Sequence, residues 1–407
     1  MTEFRYRCSH CGASYRRNEV RYLCPTCEHL WKPGEPLCGV LTAEFDYETI
    51  RKKFSRSNAR WDLFSAVESK YYPPYPVGNT PFTPAGGLGK AIGCRHLWLK
   101  NDGLNPSGSL KDRASFLVVA EAGRLRAPTV VTASTGNAAS ALAAVAASAH
   151  RRAVIFVPEK APKAKLVQML MFGAKVFPVR GTYDDAFRMS LAFTKLRGGL
   201  NRNTGYHPLT IEGKKTVGFE IFAQNGWKVP DTIFIPVGDG VILFGVYKAF
   251  YDLLQARVIK KMPRLFSVQA NTSSAIHRYI LSGVYRSAQK PDTIADSISV
   301  SVPSNAHLAR EAVLATSGGT VIVTDREILE GQRLLAQSEG IFAEPAAAAV
   351  VAGVRKIAAA GALHPSEQVV LLITGHGLKD IDAPMRSLPV PRTIPADEDV
   401  LASLRIP

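Results

Sequence analysis

The sequence predicts an α/β protein with mostly parallel sheets, built as two domains behind a small cysteine-bearing module. Three observations lead there. At 407 residues, 46% hydrophobic and 21% charged, the chain is long enough to bury two substantial cores. From about Thr129 onward, short β-branched runs alternate with segments of helical period. Four cysteines, Cys8, Cys11, Cys24 and Cys27, crowd the N-terminus as two Cys-x2-Cys knuckles, apart from the alternating region.

In chain order, the knuckles come first, separated by 12 residues. That ribbon-type spacing suits tetrahedral zinc held by four thiolates, and in a reducing compartment it reads as metal rather than disulfide. The alternative is a relic ribbon held by packing alone. Cys38 and Cys94 read as unpaired and inert thiols. Residues 97–115, LWLKNDGLNPSGSLKDRAS, run from a strand through a Gly, Asn, Pro and Ser loop into a helix that begins near Lys111. The alternation then proceeds as TVVTAS and a helix from Thr135 to His150, AVIFVP and Pro162 to Phe172, KVFPV and Tyr183 to Leu196. The polar stretch from Arg197 to Lys215 reads as a connector between two αβ regions. TIFIPV with Val241 to Leu254, LFSVQA with Ser273 to Leu281, TVIVT with Arg326 to Ser338, and a last run QVVLLIT complete the pattern. The proline-rich tail from Pro384 to Pro395 reads as surface wrapping.

The formal charge of +16 favours anionic ligands or nucleic acid through long-range steering, or serves solubility, since the basic residues are spread along the chain. No apolar run reaches the roughly 18 residues of a membrane span. The N-terminus MTEFRYRCSHC lacks a secretion h-region, so a cytoplasmic location is expected.

In parallel sheets, ligands gather beyond the C-terminal strand ends, which singles out the loops that follow strands. Lys111 at a helix start meets the positive end of the dipole, which disfavours its charged form and favours the free amine that an imine needs; alternatively it is a solvated helix-start lysine. Ser134, Thr135, Gly136 and Asn137 combine small side chains with open helix amides, which suits a carboxylate, or else form an ordinary helix cap. Gly238, Asp239 and Gly240 form a turn that can cradle phosphate by its main chain, or a plain tight turn. His376, between two glycines, reads as a turn residue and not as a catalyst.

Read together, these strings resemble fold type II pyridoxal-phosphate (PLP) enzymes, the tryptophan synthase β-like fold, in the version typical of threonine synthases. VGNTPF (77–82), IEGKKTVGFE (211–220), SVQANTSSAI (267–276), TIADSISVSVPSN (293–305), AEPAAAA (343–349) and LLITGHGLKD (371–380) extend the similarity from about residue 70 to 380. The resemblance implies that Lys111 binds the cofactor aldehyde as an imine and is the base for the substrate α-proton. It implies that Ser134 to Asn137 hold the substrate carboxylate and that Asn137 meets the cofactor's phenolic oxygen. Gly238, Asp239, Gly240, Val241 and Ile242 would hold the cofactor phosphate, with the Asp239 side chain turned away, and Thr374 the pyridine nitrogen. The expected partition is a zinc-ribbon-like module at 1–45, a large cofactor-binding domain at 46–109 and 204–407, and a small α/β domain at 110–203. Ribbons of this kind are common at the front of archaeal-type threonine synthases, and the family is commonly dimeric, so a homodimer with no nucleic-acid or membrane partner is expected.

The reaction implied is O-phosphohomoserine plus water to threonine plus phosphate. Two departures bear on it. Ala138 stands where threonine synthases usually have Thr, and Gly205, His207 and Thr210 stand where they usually present Ser, Asn and Arg to the substrate phosphate. Thr cannot replace the bidentate charged contact of Arg, which leaves His207 or Arg202 to compensate. A second reading is therefore a β-eliminating or β-replacing enzyme on a serine-like amino acid, of the ammonia-lyase or cysteate-synthase type. A third is a non-catalytic zinc-ribbon protein that binds nucleic acid or a partner.

Overall fold

The computed structural model describes residues 2–32, 34–159, 163–386, 388, 389, 391 and 393–396. Its strands, in chain order, are β1 (Phe4–Cys8), β2 (Ser14–Arg16), β3 (Leu41–Phe45), β4 (Phe82–Pro84), β5 (His96–Asn101), β6 (Thr129–Ala133), β7 (Arg152–Pro158), β8 (Lys175–Val179), β9 (Leu200–Asn201), β10 (Thr232–Pro236), β11 (Arg264–Ala270), β12 (Gly319–Val323) and β13 (Gln368–Ile373). They form three sheets. The N-terminal sheet, in the order β2-β1-β3, is antiparallel. A four-stranded sheet, β8-β7-β6-β9, is parallel throughout. A six-stranded sheet, β12-β11-β10-β13-β5-β4, is parallel except for β4, which runs against β5. The mostly parallel α/β architecture read from the sequence is the one observed.

Strands expected from β-branched runs appear within a residue or two of their predicted limits; the inner strands are largely buried and mostly apolar, whereas the edge strand β8 is largely exposed. The expected helix from Pro162 is observed as Lys163–Met171; Pro162 itself lies outside the described residues, as do Ser387, Val390 and Arg392 of the tail.

The stretch expected as a polar connector differs most. It holds β9 and then the start of a 16-residue helix, Leu209–Gln224. Its polarity hid it. Glu212, Lys214 and Lys215 are fully buried, so charged residues lie on the covered faces of the helix and no amphipathic stripe marks it. Burial is possible because Lys215 bonds Glu212 and Asp252, and Asp252 in turn bonds Lys248. Glycines bring the neighbouring helices close. A Cβ on Gly213 would collide with the Arg113 carbonyl, and one on Gly218 would lie 2.6 Å from the Ala249 Cβ.

The N-terminal sheet docks on the body through specific contacts. Tyr22 stacks on Tyr206 at 4.7 Å and accepts from the Asn201 amide at 3.0 Å. Arg17 pairs with Glu68 at 3.0 Å and Glu121 at 2.8 Å, and the Leu37 amide donates to the Ser304 carbonyl at 3.0 Å.

Candidate active site

Four loops leave the C-terminal ends of β5, β6, β10 and β13 and converge. Between them lies a cleft made of a narrow cavity of about 30 Å³ that adjoins a wider one of about 520 Å³, with Ser297 and Ala346 on both walls. Lys111, Gly238, Asp239, Gly240, Val241, Ile242 and Thr374 line the narrow part; Gly136, Asn137 and His376 line the wide part. Ser134 and Thr135 line neither. The Ser134 hydroxyl instead accepts from the Gly136 amide at 3.2 Å, which shapes the turn.

Lys111 is the first residue of the helix Lys111–Arg124. Burial pushes its amine below the usual lysine range; Glu344 and Asp239 oppose that shift, and Arg202 adds to it. Among the described residues, Nζ has neither hydrogen-bond acceptor nor ion-pair partner.

The glycine turn is tightly backed. A Cβ on Gly238 would sit 3.0 Å from the Ile298 Cα, and one on Gly240, at φ +86°, would sit 2.8 Å from the Asn305 carbonyl. Asp239 binds this backing segment: its carbonyl accepts from the Asn305 amide at 2.9 Å, and its carboxylate lies 3.4 Å from the Ser304 amide. The main-chain amides from 238 to 243 donate to no protein acceptor among the described residues. They form a concave row of donors opening the helix Val241–Gln255, an arrangement that takes an oxyanion.

Asn137 donates to both oxygens of Glu344, at 2.9 and 3.1 Å, and to the Ser297 hydroxyl at 3.2 Å. Glu344 is buried, and burial holds its carboxyl above the usual range against the pull of Asn137, Lys111 and Lys379. It packs directly over Gly375, where no side chain would fit. Thr374 is buried on the narrow wall, and its carbonyl accepts from Leu110 at 2.9 Å, tying β13 to the start of the lysine helix. His376 is a turn residue: its Nδ1 accepts from the Leu378 amide at 3.1 Å.

The residues standing where a substrate phosphate would be met divide sharply. The Thr210 hydroxyl is spent inside its own turn, donating to the His207 carbonyl at 2.7 Å and accepting from the Gly205 amide at 3.1 Å. His207 is buried edge-on against Tyr22 at 5.5 Å, and burial pushes it down to about 3, so it stays neutral and does not supply a cation. Arg202 is fully buried; its Nε donates to Ser115 at 3.1 Å and Nη1 to Thr204 at 2.7 Å, while Nη2 has no partner. Of the compensating cations expected from the sequence, Arg202 keeps an unspent donor; it lines neither cavity itself, but its partner Thr204 lines the narrow one.

Several site residues escaped the sequence reading. Glu344 lay inside the quoted AEPAAAA string, and a Glu just ahead of a helix-starting Pro was the available signal. Lys379 closes the wide cavity by donating to Ser107 and Ser140, both at 2.9 Å. Lys214 and Ser297 carried no signal beyond membership in quoted strings.

Apart from the cleft, the sulfurs of Cys8, Cys11, Cys24 and Cys27 all lie within 4.8 Å of one another, with Cys8 to Cys27 at 3.9 Å and Cys11 to Cys24 at 3.8 Å. Tetrahedral zinc with bonds of about 2.3 Å separates its sulfurs by about 3.8 Å. Cys38 and Cys94 are free thiols outside that group.

Residues 74–375 match the sequence pattern of the family described as pyridoxal-phosphate dependent enzyme. The chain is 36% identical to a threonine synthase of Methanocaldococcus jannaschii over 97% of this chain and 98% of that one. It is 34% identical to a threonine synthase of Methanosarcina acetivorans over 98% of each. These spans have to include most of the cysteine module. Among solved structures, maize serine racemase superposes with a TM-score of 0.67 at 22% identity, over 77% of this chain and 92% of that one. The processed form of threonine deaminase isoform 2 from Solanum lycopersicum gives 0.66 at 22%, over 75% and 86%.

Proposed function

Because this chain belongs to the pyridoxal-phosphate-dependent enzyme family, we propose that it is a threonine-synthase-like lyase converting O-phosphohomoserine and water into threonine and phosphate. The observation that carries the reading is the meeting of a Lys111 amine that has no hydrogen-bond or ion-pair partner with a row of open amides in one narrow cavity. These residues fit the cofactor: the amides from 238 to 243 suit its phosphate ester, Lys111 its aldehyde and Thr374 its ring nitrogen. When bound, pyridoxal phosphate supplies an electron sink for the carbon that loses its proton.

The protein's own groups do the rest. Lys111 Nζ, kept weakly basic by burial, accepts a proton from the substrate α carbon and returns it at a later stage. Open amides at 135, 137 and 138 receive the substrate carboxylate at the helix start. Arg202, behind Thr204 of the narrow wall and with Nη2 unspent, supplies the positive charge nearest the leaving phosphate. Asn137 and Glu344, bonded to each other, set the polar wall against which the cofactor's phenolic oxygen would lie.

The second reading, β-elimination or β-replacement on a serine-like amino acid, is favoured by one observation: Thr210 is consumed within its turn and offers nothing to a phosphate. A substrate panel separates the two. Release of inorganic phosphate and threonine from O-phosphohomoserine is expected. Pyruvate or 2-oxobutyrate from serine or threonine, or a β-substituted product from O-phosphoserine, with O-phosphohomoserine left intact, would overturn the first reading. We further assign zinc to the four-thiolate group, the small domain to the four-stranded sheet, and a homodimer in the cytoplasm as the working form.

A further inference from the structure

Two consecutive lysines on the helix Leu209–Gln224 have opposite surroundings. Both are about 1% exposed. Lys215 Nζ lies between the carboxylates of Glu212 and Asp252, the latter at 2.8 Å, and over the Phe45 ring at 4.2 Å. Its charge is fully answered. Lys214 has no hydrogen-bond acceptor and no carboxylate in salt-bridge range among the described residues. The charges acting on it are mainly like charges, Lys111 and Arg202, against Asp239 alone.

The fold leaves the Lys214 stem no route to solvent. Gly213 seats the helix against the Arg113 carbonyl on one side, and on the other a Cβ on Gly245 would lie 3.0 Å from the Lys214 Cβ. The side chain lines the narrow cavity together with Lys111, the glycine turn and Thr374. An ammonium buried without an ion-pair partner is destabilising, and a methionine would fill the same volume at lower cost. A buried, unpartnered cation opposite a row of unpartnered amides indicates an anion that both await.

We propose that Lys214 is a ligand of the cofactor's phosphate ester. The Asp239 carboxylate leans on the Ser304 amide and leaves the turn's own amides open to that ester. The inference rests on the reading above, in which the turn from 238 to 243 receives the phosphate.

The test compares wild type, K214M and K214R, each stripped of cofactor and titrated with pyridoxal phosphate and with pyridoxal, which lacks the phosphate. Affinity is read from the visible absorbance of the bound cofactor, and the melting midpoint of each cofactor-free protein from circular dichroism. Loss of one charged hydrogen bond weakens binding about 10- to 100-fold. K214M should lose that much for pyridoxal phosphate and nothing for pyridoxal, and its cofactor-free form should melt higher than wild type. K214R, which keeps the charge, should stay within a few-fold of wild type, and it carries the test if K214M does not accumulate.

Unchanged affinity of K214M for pyridoxal phosphate overturns the proposal, as does an equal loss for both ligands, which would mean general damage. If K214M keeps its cofactor affinity and only raises KM for O-phosphohomoserine, the lysine serves the substrate's phosphate and the assignment is wrong. If wild type takes up no pyridoxal phosphate at all, the reading of the site falls first and this inference with it.

Discussion

His207 makes stability depend on acid in a way that can be isolated. Its ring is completely buried against Tyr22, Nδ1 accepts from the Leu209 amide at 3.1 Å, and Nε2 has no partner, so protonation would bury an unanswered charge that Arg21 and Arg202 also repel. Burial pushes the imidazole down to about 3, whereas in the unfolded chain it returns to about 6.5. Between those values the unfolded chain binds the extra proton, so stability rises with pH. The contribution is complete above about pH 6.5 and is lost progressively as pH falls towards 3. The full gap is worth at most about 5 kcal/mol, and lowering pH from 7.5 to 5 removes about 2 kcal/mol of it. The assay is urea unfolding at pH 7.5 and pH 5 for wild type and His207→Asn, whose side-chain oxygen can still accept from the Leu209 amide. Other groups titrate in both proteins, so the difference of differences reports His207. About 2 kcal/mol less acid destabilisation is expected in the variant; an identical loss in both would refute the argument.

Gly240→Ala forces a left-handed residue and sets a Cβ 2.8 Å from the Asn305 carbonyl and 2.9 Å from the Ala309 Cβ, so a loss of about 2–4 kcal/mol is expected in urea unfolding. Lys111→Ala should abolish the visible absorbance of bound pyridoxal phosphate and the exchange of the substrate α-proton, with the fold intact by circular dichroism. Glu344 raises the Lys111 amine, so Glu344→Gln should move the acidic limb of α-proton exchange to lower pH; a limb that moves upward contradicts the geometry. Removing metal with a strong chelator, or changing Cys24 and Cys27 together to Ser, should take bound zinc from about one per chain to none. It should also raise KM for O-phosphohomoserine, because Tyr22 braces Asn201 beside Arg202 and Leu37 braces Ser304 beside the glycine turn. Unchanged kinetics in a zinc-free protein would show that the bracing has no consequence.

What the sequence determined by itself was whatever rests on local pattern. The strands β6, β7, β8, β10, β11 and β13 were legible because β-branched runs need no partner to be recognised, and the loops after them because small residues at a strand-to-helix step announce an approach by a ligand. The knuckle spacing likewise brought four sulfurs together. Lys111, the glycine turn and Thr374, singled out together through resemblance rather than physics, line one cavity across more than 250 residues of chain. Tertiary structure decided everything that depends on who answers a charge. The helix Leu209–Gln224 looked like a polar connector because Glu212 and Lys215 carry charges, and only Asp252, Lys248 and the glycine contacts make their burial tolerable. Lys214 and Lys215 are the same residue in adjacent positions, and one is a structural ion pair while the other faces an open cavity. His207 and Arg202 were equal candidates for a phosphate, until burial neutralised the first and left the second with an unspent donor. A side chain's charge state is set by its surroundings in three dimensions, and those surroundings come from helices far apart in sequence.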